Sequence, residues 1–338
     1  MENLQQEDLF GGAASIRSRE DRCTVYRLTS STGESLLQAY PVFPGIELIY
    51  DNIHAPSCKF PSYAGETILE IRHCREGRME GSLGNEFYYM EPGDLSVSRP
   101  ENGACFDYPL RHYHGITVII DVDKAPRCLS CFLDDVNVQP GLLMEKFRSG
   151  SAAFVARSKK SIEHIFSELY SVPEEIKKGY LKVKVLELLL FLSSVDVGTD
   201  ELAQRCYSQS QRLLASSVCQ YLAEHMDFRV TLEQLTDLFH VSGTQIKNSI
   251  RAVYGTSLYS LVRNQKMESA AKMLRDTDMT ILEVAGRHGY DNPSKFAEAF
   301  RNVMGMSPKE YRREFGSSQT CRIGAVLCPF GADDRGIF

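Results

Sequence analysis

No apolar run in this chain is long enough to cross a membrane: the longest, around Leu186–Leu192, falls well short of the roughly 20 residues that a span requires. Met1 to Arg22 mixes acidic, basic and polar residues, and the expectation is neither a secretory signal nor a transit peptide. With 43% hydrophobic and 24% charged residues, the composition excludes a collagenous, low-complexity or wholly disordered chain. A disulfide framework has little support, because 10 cysteines in a long chain without an export signal point to reduced thiols and a cytoplasmic location. Positive charge is also scarce. The formal net charge is −6, which argues against a polyanion partner unless the charge is unevenly divided.

It is unevenly divided. At 338 residues the chain exceeds what one core usually supports, so two domains are expected. After an N-terminal extension, 1–22, residues 23–123 read as a β domain. Short runs (Cys23–Leu28, Gly45–Asn52, Thr67–Cys74, Phe87–Met90, Asp94–Ser98, His114–Asp121) alternate with Gly, Pro, Asn and Ser turn signals at the spacing of a sandwich or barrel. The sharpest turn is Glu91-Pro92-Gly93-Asp94, where Pro fixes φ and Gly accepts a positive one. Residues 124–196 take on helical periodicity, chiefly at Ser158–Val172 and Pro173–Val195. In the latter, Ile176, Tyr180, Val183, Leu186, Leu190 and Ser193 form one stripe, which Leu188, Leu189 and Leu192 widen beyond what one sheet face can cover. A symmetric partner helix would cover the remainder, so the expectation is a homodimer built on this segment, with no membrane partner. A polar linker, 197–211, leads to residues 212–315, and a tail, 316–338, has no assignable role. Residues 212–313 hold fourteen Lys/Arg against eleven Asp/Glu, a charge of +3, so the remainder carries −6 − 3 = −9. Any polyanion-facing surface belongs in this segment.

Capping chemistry punctuates that segment. Thr231-Leu232-Glu233-Gln234 and Thr280-Ile281-Leu282-Glu283 fit the reciprocal capping box, while Asn292-Pro293 and Ser307-Pro308-Lys309-Glu310 pair a cap with Pro at the first helical position. Between them lie Leu232–Phe239, a turn at His240-Val241-Ser242, and Gly243–Val253. The same grammar returns as Ile281–Arg287, a turn at His288–Asn292, and Pro293–Val303. Two helix-turn-helix units therefore recur, joined by a helix over Leu258–Arg275 whose buried side is Leu261, Met267, Ala270, Ala271 and Leu274. Such a spacer holds two recognition helices for successive major-groove faces, about 34 Å apart. An all-α interaction domain is the alternative from pattern alone.

The residues themselves narrow the choice. Ala270-Ala271-x-Met273-Leu274, Thr280-Ile281-x-Glu283-Val284-Ala285-x-x-x-Gly289-Tyr290 and Phe296-x-x-x-Phe300-Arg301-x-x-x-Gly305-x-Ser307-Pro308-x-x-Tyr311-Arg312 resemble the signature of the AraC/XylS family of transcriptional regulators, over essentially all of residues 215–313. The resemblance implies double-stranded operator DNA as partner, and RNA polymerase as a second partner for an activator. It also implies base contacts from Thr244, Lys247 and Asn248 in the first unit and from Pro293, Ser294, Ala297 and Glu298 in the second. Lys247 suits guanine, Asn248 adenine, and Glu298 the N4 amine of cytosine. Arg251, Lys295, Arg301, Arg312 and Arg313 are expected on phosphates. The first unit departs from the pattern at Thr236, where a small Ala is usual, at Ile250, where Phe is usual, and at Gly243, early in the recognition helix.

Many regulators of that family carry a cupin-like β-barrel before the DNA-binding domain. Tyr88-Tyr89-Met90-Glu91-Pro92-Gly93-Asp94-Leu95, followed by Pro100, looks like the barrel turn of such domains. The implied fold class is α+β: a cupin-like barrel with a helical dimerisation segment, then an all-α double helix-turn-helix. The barrel would hold a small-molecule effector, with His73, Arg75, His112 and His114 as candidate pocket residues. Alternation puts Arg72 on the face opposite His73 and Arg75. The competing reading is a cupin-type metal-dependent enzyme, or a metal or thiol sensor, fused to a helical binding module. His112-Tyr113-His114 offers two imidazoles on one face, and Cys128-Leu129-Ser130-Cys131 has metal-like spacing. Neither is a complete ligand set, since Asp121 is the first acid after His114, no second CxxC follows, and Cys321 and Cys328 lie in the distant tail. The expectation is therefore a non-enzymatic protein with no cofactor and no metal.

Overall fold

The computed structural model describes residues 14–20, 23–30, 33–59, 67–83, 86–99, 105–130, 137–148, 153–156, 160–197, 206–226 and 230–315. Pro100, Cys131, Cys321, Cys328, most of the expected linker and the whole tail lie outside them. The chain divides into two compact units, Met1–Gln209 and Ser210–Phe338.

In the first unit the elements run β1 (Ala14–Glu20), β2 (Cys23–Ser30), β3 (Gly33–Phe43), β4 (Ile46–Ile53), β5 (Ser57–Lys59), β6 (Ile68–Gly77), β7 (Met79–Leu83), β8 (Glu86–Met90), β9 (Leu95–Ser98), β10 (Cys105–Asp107), β11 (Tyr113–Asp121), α1 (Pro140–Arg148), β12 (Ala153–Ala156), α2 (Lys160–Leu169), α3 (Lys177–Ser194) and β13 (Cys206–Ser208). Among the described residues they form an eight-stranded sheet in the order β1-β2-β3-β4-β11-β6-β9-β12 and a five-stranded sheet in the order β13-β8-β7-β10-β5. The pairings are antiparallel, and β11 sits centrally, with Ile116 opposite Tyr50 of β4 and His73 of β6.

The period of two in these strands sorts residues into two cores. Leu37, Ile49, Ile68, Tyr113 and Ile119 of the large sheet meet Met79, Tyr88, Met90 and Phe106 of the small one. On the opposite face Leu48, Leu69, Ile71, Ile116, Val118 and Ile120 pack against Phe147 of α1, Ile165 and Phe166 of α2, and Leu181, Val185, Leu188 and Leu192 of α3. The unit is thus an antiparallel β domain with a helical layer. The turn at 91–94 forms as the sequence predicts. Gly93 has φ +88°, and the Asp94 amide donates to the Glu91 carbonyl at 2.9 Å.

Three expectations need correction. The N-terminal extension contributes β1, which pairs with β2. The helical segment 124–196 contains a strand, β12, on the edge of the large sheet. The linker 197–211 contains β13, which completes the edge of the small sheet, with Tyr207 stacked between Phe87 and Tyr89 at 6.0 and 5.9 Å.

Helix α3 also turns out differently from a helix buried all round. Its buried residues are Leu181, Lys184, Val185, Leu188, Leu189 and Leu192, the ones that widened the expected stripe. The stripe itself faces outward: Val183 is 63% and Leu190 47% exposed, and Leu186 is half-buried. Lys184 is tolerated in the buried set because its ammonium bridges Glu168 at 2.6 Å and Glu187 at 2.9 Å.

The second unit comprises α4 (Gln209–Glu224), α5 (Leu232–Phe239), α6 (Gly243–Tyr254), α7 (Leu258–Asp276), α8 (Ile281–Arg287), α9 (Pro293–Met304) and α10 (Pro308–Phe315). Each expected cap is made. Thr231 with Gln234 and Thr280 with Glu283 form reciprocal boxes, Asn292 accepts from Ser294 and Lys295, and Ser307 and Glu310 bond each other reciprocally. Two further caps are made by Ser242 on α6 and Ser257 on α7; Gln245 stands three residues after Ser242, whereas Ser257 has Ser260 there and no acidic or amide partner.

Candidate nucleic-acid interface

Helices α5 and α6 form the first helix-turn-helix, and α8 and α9 the second. In each, the apolar positions of the second helix are spaced three and four apart, so one face is committed to the scaffold and the other is left outside. On α6, Ile246, Ser249, Ile250, Val253 and Tyr254 are buried, and Thr244, Gln245, Lys247, Asn248 and Arg251 are exposed. On α9, Phe296, Phe300 and Met304 are buried, Ser294, Lys295, Glu298 and Arg301 are exposed, and Ala297 is half-buried.

The second unit is held by a run of aromatic contacts. Tyr290–Phe296, Phe296–Phe300, Phe300–Tyr311 and Tyr311–Phe315 have ring centroids 5.6, 5.8, 5.5 and 4.8 Å apart. They enclose Val284, Ala285, Ala270 and Ala271 of the neighbouring helices. Ala285 is fully buried, and its carbonyl accepts from His288 and Tyr290. Gly289 takes φ +72°, as a turn entered directly from a helix requires. Lys266 of α7 donates to the His288 carbonyl at 2.9 Å and so fixes this turn to the spanning helix. Sequence reasoning missed that tie, because a lone lysine beside an apolar helix stripe reads as solvated.

The departures of the first unit compensate one another. A Cβ added at Gly243 would stand 2.9 Å from Leu232 Cδ2 and 3.6 Å from Thr236 Cγ2. The missing side chain on α6 therefore makes room for the larger ones on α5. Ile250 fills, with less bulk, the place that Phe300 occupies in the second unit, and both are fully buried.

Among the residues expected on phosphates, Arg251, Lys295, Arg301 and Arg313 are exposed, whereas Arg312 is half-buried. The Arg312 Nε donates to the Leu274 carbonyl at 3.2 Å, seating α10 on the end of α7.

The four candidate effector residues of the first unit separate into two places. His73 is buried, with its ring stacked on Phe166 at 4.1 Å, and burial holds its imidazole down at about 4. Arg75 is exposed, its guanidinium 4.5 Å above the Tyr170 ring. His114 lies farther along the same sheet face, where its Nδ1 meets Glu76 at 3.2 Å and its Nε2 faces His54 at 3.5 Å. His112 is 6.4 Å from His114, ring to ring, and its Nδ1 is taken by the Leu110 carbonyl at 3.0 Å. Among the described residues no three His, Cys, Asp or Glu side chains are grouped to hold a metal ion.

Arg72 points the other way, into the space between the sheets. It reaches Glu70 at 2.5 Å and Thr117 at 3.4 Å and lies 4.5 Å from the Phe106 ring centroid. Thr117 donates to Asp51 at 2.5 Å. Burial pushes the Asp51 carboxyl up to about 6, against the pull of Arg72 and the Thr117 hydroxyl. Where an open effector chamber is expected, this level of the interior is occupied by an ionic cluster.

Two paired helix-turn-helix units on one spanning helix define a domain of the DNA-binding class. A family model described as a helix-turn-helix domain matches residues 235–314. The chain is 32% identical over 103 residues to the uncharacterized HTH-type transcriptional regulator YdiP of Escherichia coli K12, covering 30% of this chain and 34% of that protein. It is 30% identical over 93 residues to the MmsAB operon regulatory protein of Pseudomonas aeruginosa, covering 28% of this chain and 30% of that one. The chain thus spans about a third of these relatives' lengths. Among solved structures, the C-terminal domain of AraT, a response regulator from Geobacillus stearothermophilus, is 32% identical; the match covers 33% of this chain and 94% of that one, with a TM-score of 0.31. The matched residues 235–314 thus form a helix-turn-helix domain similar to those of AraC-type transcriptional regulators.

Proposed function

We propose that the chain is a sequence-specific DNA-binding regulator of transcription, working in the cytoplasm as a homodimer and responding to a small molecule bound by its N-terminal unit. One observation carries the DNA reading: α6 and α9 each commit one face to the scaffold and leave outside a face rich in groups that bond bases and phosphates. Lys247 and Asn248 supply donors and an acceptor suited to guanine and adenine, and Thr244, Ser294 and Glu298 extend the reading face, with Ala297 a small apolar neighbour. Arg251, Lys295, Arg301 and Arg313 clamp phosphates, while Arg312 acts first as a strut for α10. An activator of this kind also engages RNA polymerase. Selection from random duplex DNA tests the reading. The expected product is a site with two sequence elements about one helical turn apart, and failure to enrich any sequence would overturn it.

The outward stripe of α3, with Val183 and Leu190 exposed, supports the homodimer, since a two-fold pairing lets the same stripe cover itself. Light scattering on the full chain at tens of micromolar should report a dimer that Leu190→Asp splits. A wild-type monomer there refutes the pairing. The two packed antiparallel sheets are compatible with a cupin-like sensor, and the ligand question turns on where such a molecule would sit.

A further inference from the structure

The outer face of the large sheet is apolar where the helices cover it and polar beyond them. At the boundary, where α2 ends and α3 begins, lies a cleft of about 290 Å³, at the small end of ligand-pocket sizes. Its floor comes from β3 and β4, which bring Gln38 and Asn52 to it with their side chains exposed. One wall is aromatic: Tyr50 and Tyr170 meet edge to face at 6.3 Å, and the Tyr50 hydroxyl donates to the Leu169 carbonyl at 2.7 Å, pinning sheet to helix. Burial pushes the Tyr50 phenol up to about 12, so this wall is neutral at any working pH. The charged side chains lining the cleft, Arg75 and Lys177, are both cations.

The two cations are not equivalent. The Lys177 ammonium already meets Glu174 at 2.5 Å and lies 4.8 Å from the Tyr40 ring, so it contributes positive potential more than an open donor. Arg75 is 47% exposed, and its Nε stands 3.8 Å from Glu76, outside hydrogen-bond reach. Its guanidinium lies over the Tyr170 ring, an arrangement that fixes the plane of the fork while leaving its edge to an incoming carboxylate.

We propose that this cleft binds a small organic monoacid, its carboxylate on Arg75 and its apolar body against Tyr50 and Tyr170. The volume suits a small molecule, and the two tyrosine rings suit a flat or short-chain apolar body better than a polyol. Because sheet and helices both line the site, the acid would bridge Arg75 of β6 to the α2–α3 connection. It would thereby bias the helix whose free stripe is assigned to dimer pairing. This last step rests on the regulatory reading above; occupancy of the cleft does not.

Calorimetry on the full chain with benzoate, phenylacetate and hexanoate, each beside its neutral amide, tests the proposal. The acids should bind at least about tenfold tighter than their amides. Arg75→Gln should erase that preference, and Lys177→Gln should reduce it by less. Acids and amides binding alike, an Arg75→Gln variant that keeps the preference, or no binding by any acid would each overturn it. Operator affinity measured on the same samples separates the two readings. An acid that binds through Arg75 without changing operator affinity leaves the site standing and removes its regulatory role. Absence of operator binding in the acid-free protein removes the regulator reading and leaves the acid preference to be judged alone.

Discussion

Where the first recognition helix exposes Lys247 and Asn248, the second carries Ala297 and Glu298 at the matching places, although Arg251 and Arg301 match each other and Thr244 answers to Ser294. The two units share a frame and differ in what they present. On α6 the central pair can bond purine edges. On α9 a small apolar side chain and a carboxylate stand at those places, and the exposed cations of the proposed face are Lys295 and Arg301. The frames differ as well. The second is packed with aromatic rings and turned at a glycine. The first is aliphatic around Leu235, Ile246 and Ile250 and turned at His240, which holds φ +53° without being glycine. The first unit thus presents the richer set of hydrogen-bonding groups and the second the more aromatic frame.

The strongest way to break this comparison is Phe300→Ala. Removing a fully buried ring from the middle of the aromatic run should cost about 3–5 kcal/mol. Hydrogen exchange on the full chain should then show amides of α8–α10 losing protection while those of α5 and α6 keep theirs. Equal loss in both would mean one cooperative core.

Next in size are the DNA contacts. Lys247→Ala should weaken operator binding by roughly 1–3 kcal/mol and relax a single base position, whereas Arg301→Ala should weaken all sequences alike and lower the salt slope by about one. An Arg301→Ala protein that lost one base preference, with its salt slope intact, would reverse the assigned roles.

The third test is acidity. Burial, with Lys266 and Arg287 nearby, holds the His288 imidazole below its ordinary 6.5 even though the Val284 carbonyl accepts its proton at 2.7 Å. The unfolded chain then binds more protons than the folded one in mildly acidic solution. His288 therefore contributes its stabilisation in full above pH 6.5 and loses it as pH falls from there toward the depressed folded value. Urea midpoints of the second unit should drop between about pH 7.5 and 5.5, and His288→Gln should flatten that drop. An unchanged slope would exclude His288 as its source. The smallest effect belongs to the other turn. His240→Gly relieves a left-handed non-glycine residue and should raise the melting temperature of the first unit slightly, by at most about 1 kcal/mol of stability. A lower melting temperature would show that the His240 side chain matters more than its backbone.

The second unit was legible because its signals are local. Capping residues, Pro at the first helical turn, and apolar positions three and four apart are read within a few residues of one another, and α5, α8 and the buried side of α7 formed where those signals stand. The β domain was legible only in part. The six predicted strands formed, but β3 went unread: Pro41 breaks its pattern, and the strand absorbs it by a register shift between Pro41 and Phe43. Strand β13 went unread because three residues in a polar stretch become a strand only when β8 offers an unpaired edge.

The sequence by itself determined the helices of the second unit from α5 onward and where most of them start, since those choices depend on neighbours within a turn or two of chain; α4, which begins inside the expected linker, went unread. Tertiary structure decided the rest. It chose which stripe of α3 is buried, because the sheet took the face containing Leu181, Val185 and Leu188 and left Val183 and Leu190 outside. It drew Arg72 inward to Glu70 and left Arg75 on the rim of a cleft, since neighbouring residues on a strand face opposite ways and only the packed layers determine which way is in.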